Sequence, residues 1–460
     1  NKDKIEFLVY GSLNGDILAT DLYNSLLFES NISVLDFKTN EHEHGDVTLI
    51  SDWNNSMGVA DIKLFNDLDG LKTFDISGFY NPDERYIDLQ TEIKRMPLDI
   101  LNLVLYSFAS GVNGYGSGKV LISGNPSEPM INGNVMAEDA SMVIDYLQTR
   151  FMFSDTISLK DYGYYFDSIE IKDDRGNRAM LDGFVTHNAY KDFDIDIRID
   201  ADNMRVLDTR QKDNDLFYGT AFASGVINII GEDRDLVLDI SASTEQNTRV
   251  FFPLVQNEQV SDYSFISFKD SEIDSTTKRE ITLPINLPKP NSSLSLGLNL
   301  DVTQDAEIQL VFDASVGDVL RSTGSGNLNM TLDKDGDFTI FGDYTIENGD
   351  YQLTLGNIFN KRFIVEEGGN IRWNGDITNA ELDIKAIYRL RASLYELLLV
   401  PEYKERIPVE CHLNMSGQLV DPVIEFDIFL PTADEKMRTD LRNAINSEEE
   451  MSRQFLYLLV

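Results

Sequence analysis

A single cysteine, Cys411, stands among 460 residues, so the chain forms no internal disulfide and no cysteine-based zinc site. Bases are scarce as well: 39 Lys and Arg face 78 Asp and Glu, a formal net charge of −39. Neutralising phosphates requires a basic face, and nucleic acid is excluded as a partner. No stretch reaches the ~18 consecutive apolar residues of a membrane-spanning helix. The opening residues from Asn1 carry no basic segment followed by an apolar run, the mark of an export signal. The last residues, 455–460, are themselves an apolar run, and the chain reads as a portion of something longer, with any signal or anchor outside it.

What is present argues for a folded, mainly β protein. With 26 Phe, 19 Tyr and 42% hydrophobic residues, the chain holds far more core-forming material than a disordered acidic segment. Length sets a prior of about three domains, or one long repeat architecture. Period-two alternation runs from end to end. In DFDIDIRID, Phe193, Ile195, Ile197 and Ile199 share one face while Asp192, Asp194, Asp196, Arg198 and Asp200 take the other. The pattern returns at Leu236, Leu238 and Ile240; at Leu294, Leu296, Leu298 and Leu300; at Leu382, Ile384, Ala386 and Tyr388; and at Ile424, Phe426, Ile428 and Leu430. Strands with one greasy and one charged face belong to antiparallel sheet with a solvated side.

Turn signals separate these strands at Asp335-Gly336, at Asn348-Gly349 and at 173–177, each offering the positive φ of tight hairpins. Glycine-led units recur from Gly124, Gly231, Gly375 and Gly417, two of them with proline at the same offset, Pro129 and Pro422. They form a degenerate repeat of hairpins with unequal spacing. Helix is expected twice: after Pro97, with Leu98, Leu101, Leu105 and Phe108 at helical spacing, and from about Ala433, capped by Thr432, through Met437, Leu441 and Ile445, resuming after Ser447. The expected segments are therefore 1–95 as β-groove, 96–117 as helix and glycine-rich connection, 118–311 as repeated hairpins, 312–430 as a β region with its own signature, and 431–460 as helical.

Catalytic motifs fail on inspection. A phosphate loop around Gly118-Lys119 would need glycine at Asn113 and Ser or Thr at Val120, so 111–118 reads as a flexible connection. The acidic loop 333–337 lacks the glycine at Phe338 and the Glu at Tyr344 of a calcium-binding EF-hand, and reads as a hairpin turn. Glu41-His42-Glu43-His44 offers two imidazoles without a third ligand and reads as a solvated edge. Cys411 and His412 are neighbours on a strand and point to opposite faces, and no nucleophile elbow accompanies the four histidines. Neither enzyme, metal site nor cofactor is expected.

Residues 312–395 carry a more specific signal, above all GDYTIENGDYQLTLGNIFNKRFIVEEGGNIRWNGD from Gly342 to Asp376, a Gly-x-Tyr hairpin followed by a Gly-Gly-x-Ile-x-Trp strand. LFYGTAFASGVINIIG at 216–231 and LISGNPSEPMINGNVMAEDASMVIDYL at 121–147 repeat the theme. This region resembles the C-terminal part of the TamB family, the translocation and assembly module subunit, in a Bacteroidota-like form, within the AsmA-like bridge-type lipid transfer proteins. The resemblance implies an elongated, curled antiparallel sheet with an open apolar groove. It further implies a periplasmic position between the inner and outer membranes of a Gram-negative cell, with an inner-membrane anchor outside this chain. The partners it implies are phospholipid and a TamA-like outer-membrane barrel with periplasmic domains.

On that reading the groove is lined by Phe193, Ile195, Ile197, Ile199, Leu236, Leu238, Ile240, Leu296, Leu298, Leu300, Phe338, Ile340, Leu382 and Ile384. Docking to the barrel partner is expected around Tyr344, Tyr351, Trp373, Ile424, Phe426 and Ile428. Two alternatives stand beside it: a docking module that adds a partner strand to a free sheet edge, and a transmembrane β-barrel, whose strands alternate in the same way. Alternation by itself does not separate an open groove from a closed core.

Overall fold

The computed structural model describes residues 9–20, 27–39, 42–106, 108–189, 191–214, 217–232, 235–254, 293–313, 317–335, 337–355, 359–376, 379–398 and 400–459. Glu41 and Gly336, singled out above, lie outside them. Among the described residues twenty-four strands are joined in one sheet, in keeping with the alternation. Two compact units are distinguished: the described residues of 1–206, 224–239 and 293–294, and those of 207–223, 240–254 and 295–459.

In the first unit every strand from Val9–Thr20 to Lys191–Thr209 pairs antiparallel with the next in sequence. Short turns suffice because antiparallel neighbours need no crossover. The ladder is interrupted in a regular way. Asp36, Arg95, Asp139, Ser168 and Asn203 adopt left-handed conformations, with φ between 50 and 52°. The first four of these sit where the register slips, between Val34 and Phe37, Ile93 and Met96, Ala137 and Ala140, and Phe166 and Ile169. A residue left over in one strand is a β-bulge, which bends the strand and raises its twist. Each bulged amide is taken up by a side chain of the following strand: Asp36 N–H donates to Asp46 Oδ1 at 2.9 Å, Arg95 to Ser117 Oγ at 3.0 Å, Asp139 to Ser154 Oγ at 2.8 Å, Ser168 to Asp182 Oδ1 at 2.7 Å and Asn203 to Ser224 Oγ at 2.9 Å. Close approach also fixes Gly183, at φ +139°, where an added Cβ would lie 2.1 Å from the carbonyl oxygen of Asp196 on the neighbouring strand.

The second unit closes on itself. Asp318–Leu332 pairs along its length with Phe338–Leu355, whose other edge is shared between Phe359–Val365 and Asn370–Gly375. Arg249–Pro253 runs parallel to Glu307–Asp313, an exception to the antiparallel rule. One cluster of buried side chains fills the interior, including Leu320, Ile346, Phe363, Ile384 and Leu413, all at 0% exposure. Two helices cover it, Glu435–Ala444 and Glu448–Leu459. Phe455 of the second helix is fully buried, its ring 6.0 Å from that of Phe363 and 4.3 Å from that of Phe426.

Several expectations need correction. The cap of the first C-terminal helix is Asp434, which accepts from the Met437 N–H at 2.8 Å, and not Thr432: the helix starts two residues later because Asp supplies the better acceptor. Asn348-Gly349 makes no turn. It lies inside Phe338–Leu355, beside a register slip between Thr323 and Gly324 where the strand changes partner. Residues 111–118 are part of the strand Ala109–Asn125 rather than a flexible connection, their glycines permitting irregular pairing with Glu128–Ile144. His44 is no solvated edge either: it is 3% exposed, bonded to Thr39 and packed against the Phe37 ring at 5.2 Å. The turn at 173–177 and the hairpin at 333–337 do form, each organised by an aspartate that accepts backbone N–H groups.

Candidate functional site

Cross-strand partners share a face, so the register alone traces one surface through the first unit. Ile197 stands opposite Gly183, which faces Phe166; Ile195 opposite Val185, then Tyr164, then Leu159. Leu159 faces Gly133, and Ile157 faces Val135. Beyond them Ile131 meets Ile122, which meets Leu89, then Gly78, then Ile62. Leu64, two residues on, leads through Leu49 to Ile32. The result is a continuous apolar track carried strand to strand, with the aspartates of DFDIDIRID on the opposite, exposed side.

The track is half-buried along most of its length: Ile195, Ile197, Ile199, Tyr164, Leu159, Ile157, Val135, Ile122, Leu89, Ile62, Leu49 and Ile32 are all neither buried nor fully exposed, and Phe193 is 39% exposed, while Val120, opposite Gly133, is buried. Side chains in a closed core lie near zero, as Ile384 and Leu382 do at 0% and 3%. The small buried cluster of Ala179, Ala201 and Met204 is the only one assigned to this unit among the described residues.

The residues expected to line a groove therefore fall into two settings. Phe193, Ile195, Ile197, Ile199, Leu236 and Leu238 belong to the first unit and are accessible. Ile240, Leu296, Leu298, Leu300 and Phe338 are half-buried in the second unit, with Leu300 and Phe338 packed on its core; Ile340, Leu382 and Ile384 are inside that core. Leu298 continues through Met330 to Ile340, one row of the same sheet face. Of the residues expected to dock a partner, Tyr344, Tyr351 and Ile428 are 2%, 1% and 6% exposed, while Trp373, Ile424 and Phe426 pack against the same core. Burial raises the Tyr344 phenol to about 12, with Ser322 Oγ at 3.3 Å, and lifts that of Tyr351 well above its ordinary value, its ring edge-on to Phe312 at 6.0 Å. Both phenols are thus neutral, hydrogen-bonded core groups.

Little here is chemically reactive. Burial pushes the Cys411 thiol up to about 12, the opposite of what a nucleophile needs. His412 faces away from it, 3.2 Å from Glu410, whose carboxyl is held low by its hydrogen bond to Arg389. His187 is packed among Tyr162, Tyr164 and Phe193, with ring centroids 5.7, 5.8 and 5.5 Å away, and burial lowers its pKa. The sequence reading missed this aromatic end of the track, as it missed the bulge residues. The bulges leave a trace, since alternation changes phase after each of them.

The first unit is thus an antiparallel sheet that keeps one apolar face accessible, the build of a scaffold. The family model of the TamB C-terminal domain matches residues 167–460, and the chain belongs to the TamB family, a non-enzymatic cell-envelope family that serves the translocation and assembly module with TamA-like partners. No curated protein matches the chain. No described helix is long and apolar enough to cross a membrane.

Proposed function

We propose that the first unit carries phospholipid acyl chains along its apolar track while headgroups stay in water, as part of a periplasmic bridge between inner and outer membranes. The observation that carries this reading is the half-exposure of a register-continuous apolar face across successive strands. At ~0.8 kcal/mol per methylene, a sixteen-carbon chain in water costs on the order of 12 kcal/mol, so a continuous track lowers the barrier to its passage. Neither nucleophile nor nucleotide is required; direction comes from the lipid gradient or from a partner. The outer end of such a bridge meets a TamA-like barrel protein. Supplying lipid and supporting outer-membrane protein assembly are compatible roles of one scaffold.

Ile197→Asp is the test. A charge on an accessible track leaves folding nearly intact and blocks lipid transfer between vesicles, whereas loss of folded protein would place Ile197 in a core and end the groove assignment there. Leu298→Asp asks the same question in the second unit.

One observation favours a second reading, docking by strand addition. The strand Asp421–Phe429 has Arg406–Gln418 as its paired strand among the described residues, and its outward side chains Val423 and Phe429 are 57% and 45% exposed. A free edge of this kind accepts a partner strand. Copurification separates the two: bound phospholipid supports carriage, a lipid-free complex with a barrel protein supports docking.

A further inference from the structure

Both long margins of the first unit are closed largely by short turns, at 55–58, 82–85, 126–127 and 161–162 along one and at 145–148 and 174–177 along the other. On the second of these margins one connection is longer: Tyr86–Pro97 and Ala109–Asn125 are joined by an insert, a 3-10 turn at Leu98–Leu101 followed by one helical turn at Asn102–Leu105. This insert lies on the apolar side of the sheet. Gly116 shares a face with Gly118 and Val120, and a Cβ there would meet Leu98 Cδ2 at 3.1 Å and Val135 Cγ1 at 3.7 Å. Leu98 therefore sits over the track where glycine leaves room for it.

Two polar attachments hold the insert down. Asn102 makes a reciprocal pair with the strand it precedes, accepting from Val112 N–H at 3.1 Å and donating to Val112 O at 3.4 Å. Asp99, 4% exposed, accepts from the Thr39 hydroxyl at 3.0 Å, and Thr39 is in turn bonded to His44. Thr39 ends the strand Leu27–Thr39, which is separated from Tyr86–Pro97 by three intervening strands. A flat sheet would hold those two strands about 19 Å apart at ~4.8 Å per spacing. Two residues of chain and two short side chains span only part of that distance; curvature supplies the rest. The bulges at Asp36 and Arg95 lie on these same two strands.

We propose that residues 98–105 are a strap that closes the track at this connection, so that acyl chains lying beside Tyr86–Pro97 and Ala109–Asn125 enter and leave across the opposite margin only. The inference rests on the lipid-carrying reading and assigns it a side. The Thr39–His44–Asp99 group is then a fastening: its order, with the hydroxyl between the imidazole and the carboxylate, suits a buried clasp rather than a nucleophile.

The test is photo-crosslinking from benzoylphenylalanine placed at Tyr80, which pairs with Ala60 and Ile87 on the track beside the turn at 82–85, or at Met96, beside the strap. Vesicles of phosphatidylethanolamine and phosphatidylglycerol are the probe. The expected result in the otherwise native chain is lipid adduct from position 80 and only background from position 96. Releasing the strap with Thr39→Val should raise adduct at position 96 about ten-fold over the native background, the population change expected for loss of one charge-assisted hydrogen bond, that to Asp99. A second variant, Thr39→Cys with Asp99→Cys, locks the strap by a disulfide and should transfer lipid at the unlocked rate. Equal adduct at both positions in the native chain, or loss of transfer on locking that reduction restores, would overturn the strap. No adduct at either position overturns the lipid reading beneath it.

Discussion

Ser154→Ala removes the oxygen that receives the Asp139 amide at 2.8 Å, and the consequence can be worked out from the bulge itself. A non-glycine residue in the left-handed region costs roughly 1–2 kcal/mol, and a hydrogen bond returns about 0.5–1.5 kcal/mol. The two nearly cancel at Asp139, φ 50°, so the bulge is held only while its amide has that partner. Without it, opening of the amide should become easier by about 1 kcal/mol, a five- to ten-fold faster hydrogen exchange at Asp139. Asp139→Gly in the same background should restore protection, because glycine adopts this conformation freely. Ser117→Ala, Ser154→Ala and Ser224→Ala together, on well-separated strands, should add to roughly 3 kcal/mol in urea unfolding. Unchanged exchange at Asp139 in Ser154→Ala, or a triple variant as stable as the parent, would show that water serves these amides equally well and that the side chains do not fix the bulges.

Three further outcomes are expected. Phe455→Ala should destabilise the second unit by about 3–5 kcal/mol, read as a lowered thermal midpoint, because the ring is fully buried between Phe363 and Phe426; a shift under 1 kcal/mol would mean that the helix 448–459 does not seal that core. Burial favours protonated Asp173, yet the N–H groups of Arg205, Asn177 and Arg175 and the Asn177 side-chain amide outweigh it, and the carboxyl is held below its usual value. Its contribution is therefore full above the unfolded pKa of about 4 and fades as pH falls through the lower folded value; exchange protection of the 173–177 turn should drop on acidification, and Asp173→Asn should abolish that pH dependence. Cys411, buried with its thiol pushed up to about 12, should resist maleimide in native protein and react fully in urea; rapid native labelling would contradict its burial.

The strands were legible because period two is a direct imprint of the pleat: Ile195, Ile197 and Ile199 alternate with aspartates in sequence and in space. The family was legible from the Gly342–Asp376 segment. What alternation lacked was the second layer. Ile197 and Ile384 read alike in sequence, yet one is accessible and the other at 0% exposure, because Ile384 belongs to a buried cluster assembled from elements distant in the chain, with Leu441 and Phe455 of the C-terminal helices among its members. Tyr344 and Tyr351 drew notice for their motif, and their burial follows from the same packing. His44 and Asp99 went unseen as a pair because sixty residues of hairpins separate the hydroxyl of Thr39 from the carboxylate it meets.

The recurrence of a bulge on like-directed strands has a consequence for how such a protein changes length. Each added hairpin advances the sheet by two spacings, about 10 Å, and, the one containing Val59–Asp67 excepted, brings its own bulge and its own amide acceptor on the following strand along with its stretch of apolar lining. Insertion or deletion of a whole hairpin keeps every remaining face and bend in phase, whereas a single strand reverses the chain and a single residue turns the lining outward. The hairpin is therefore the ruler of the molecule: its reach is set in steps, and a shortened or lengthened variant is built by counting pairs of strands.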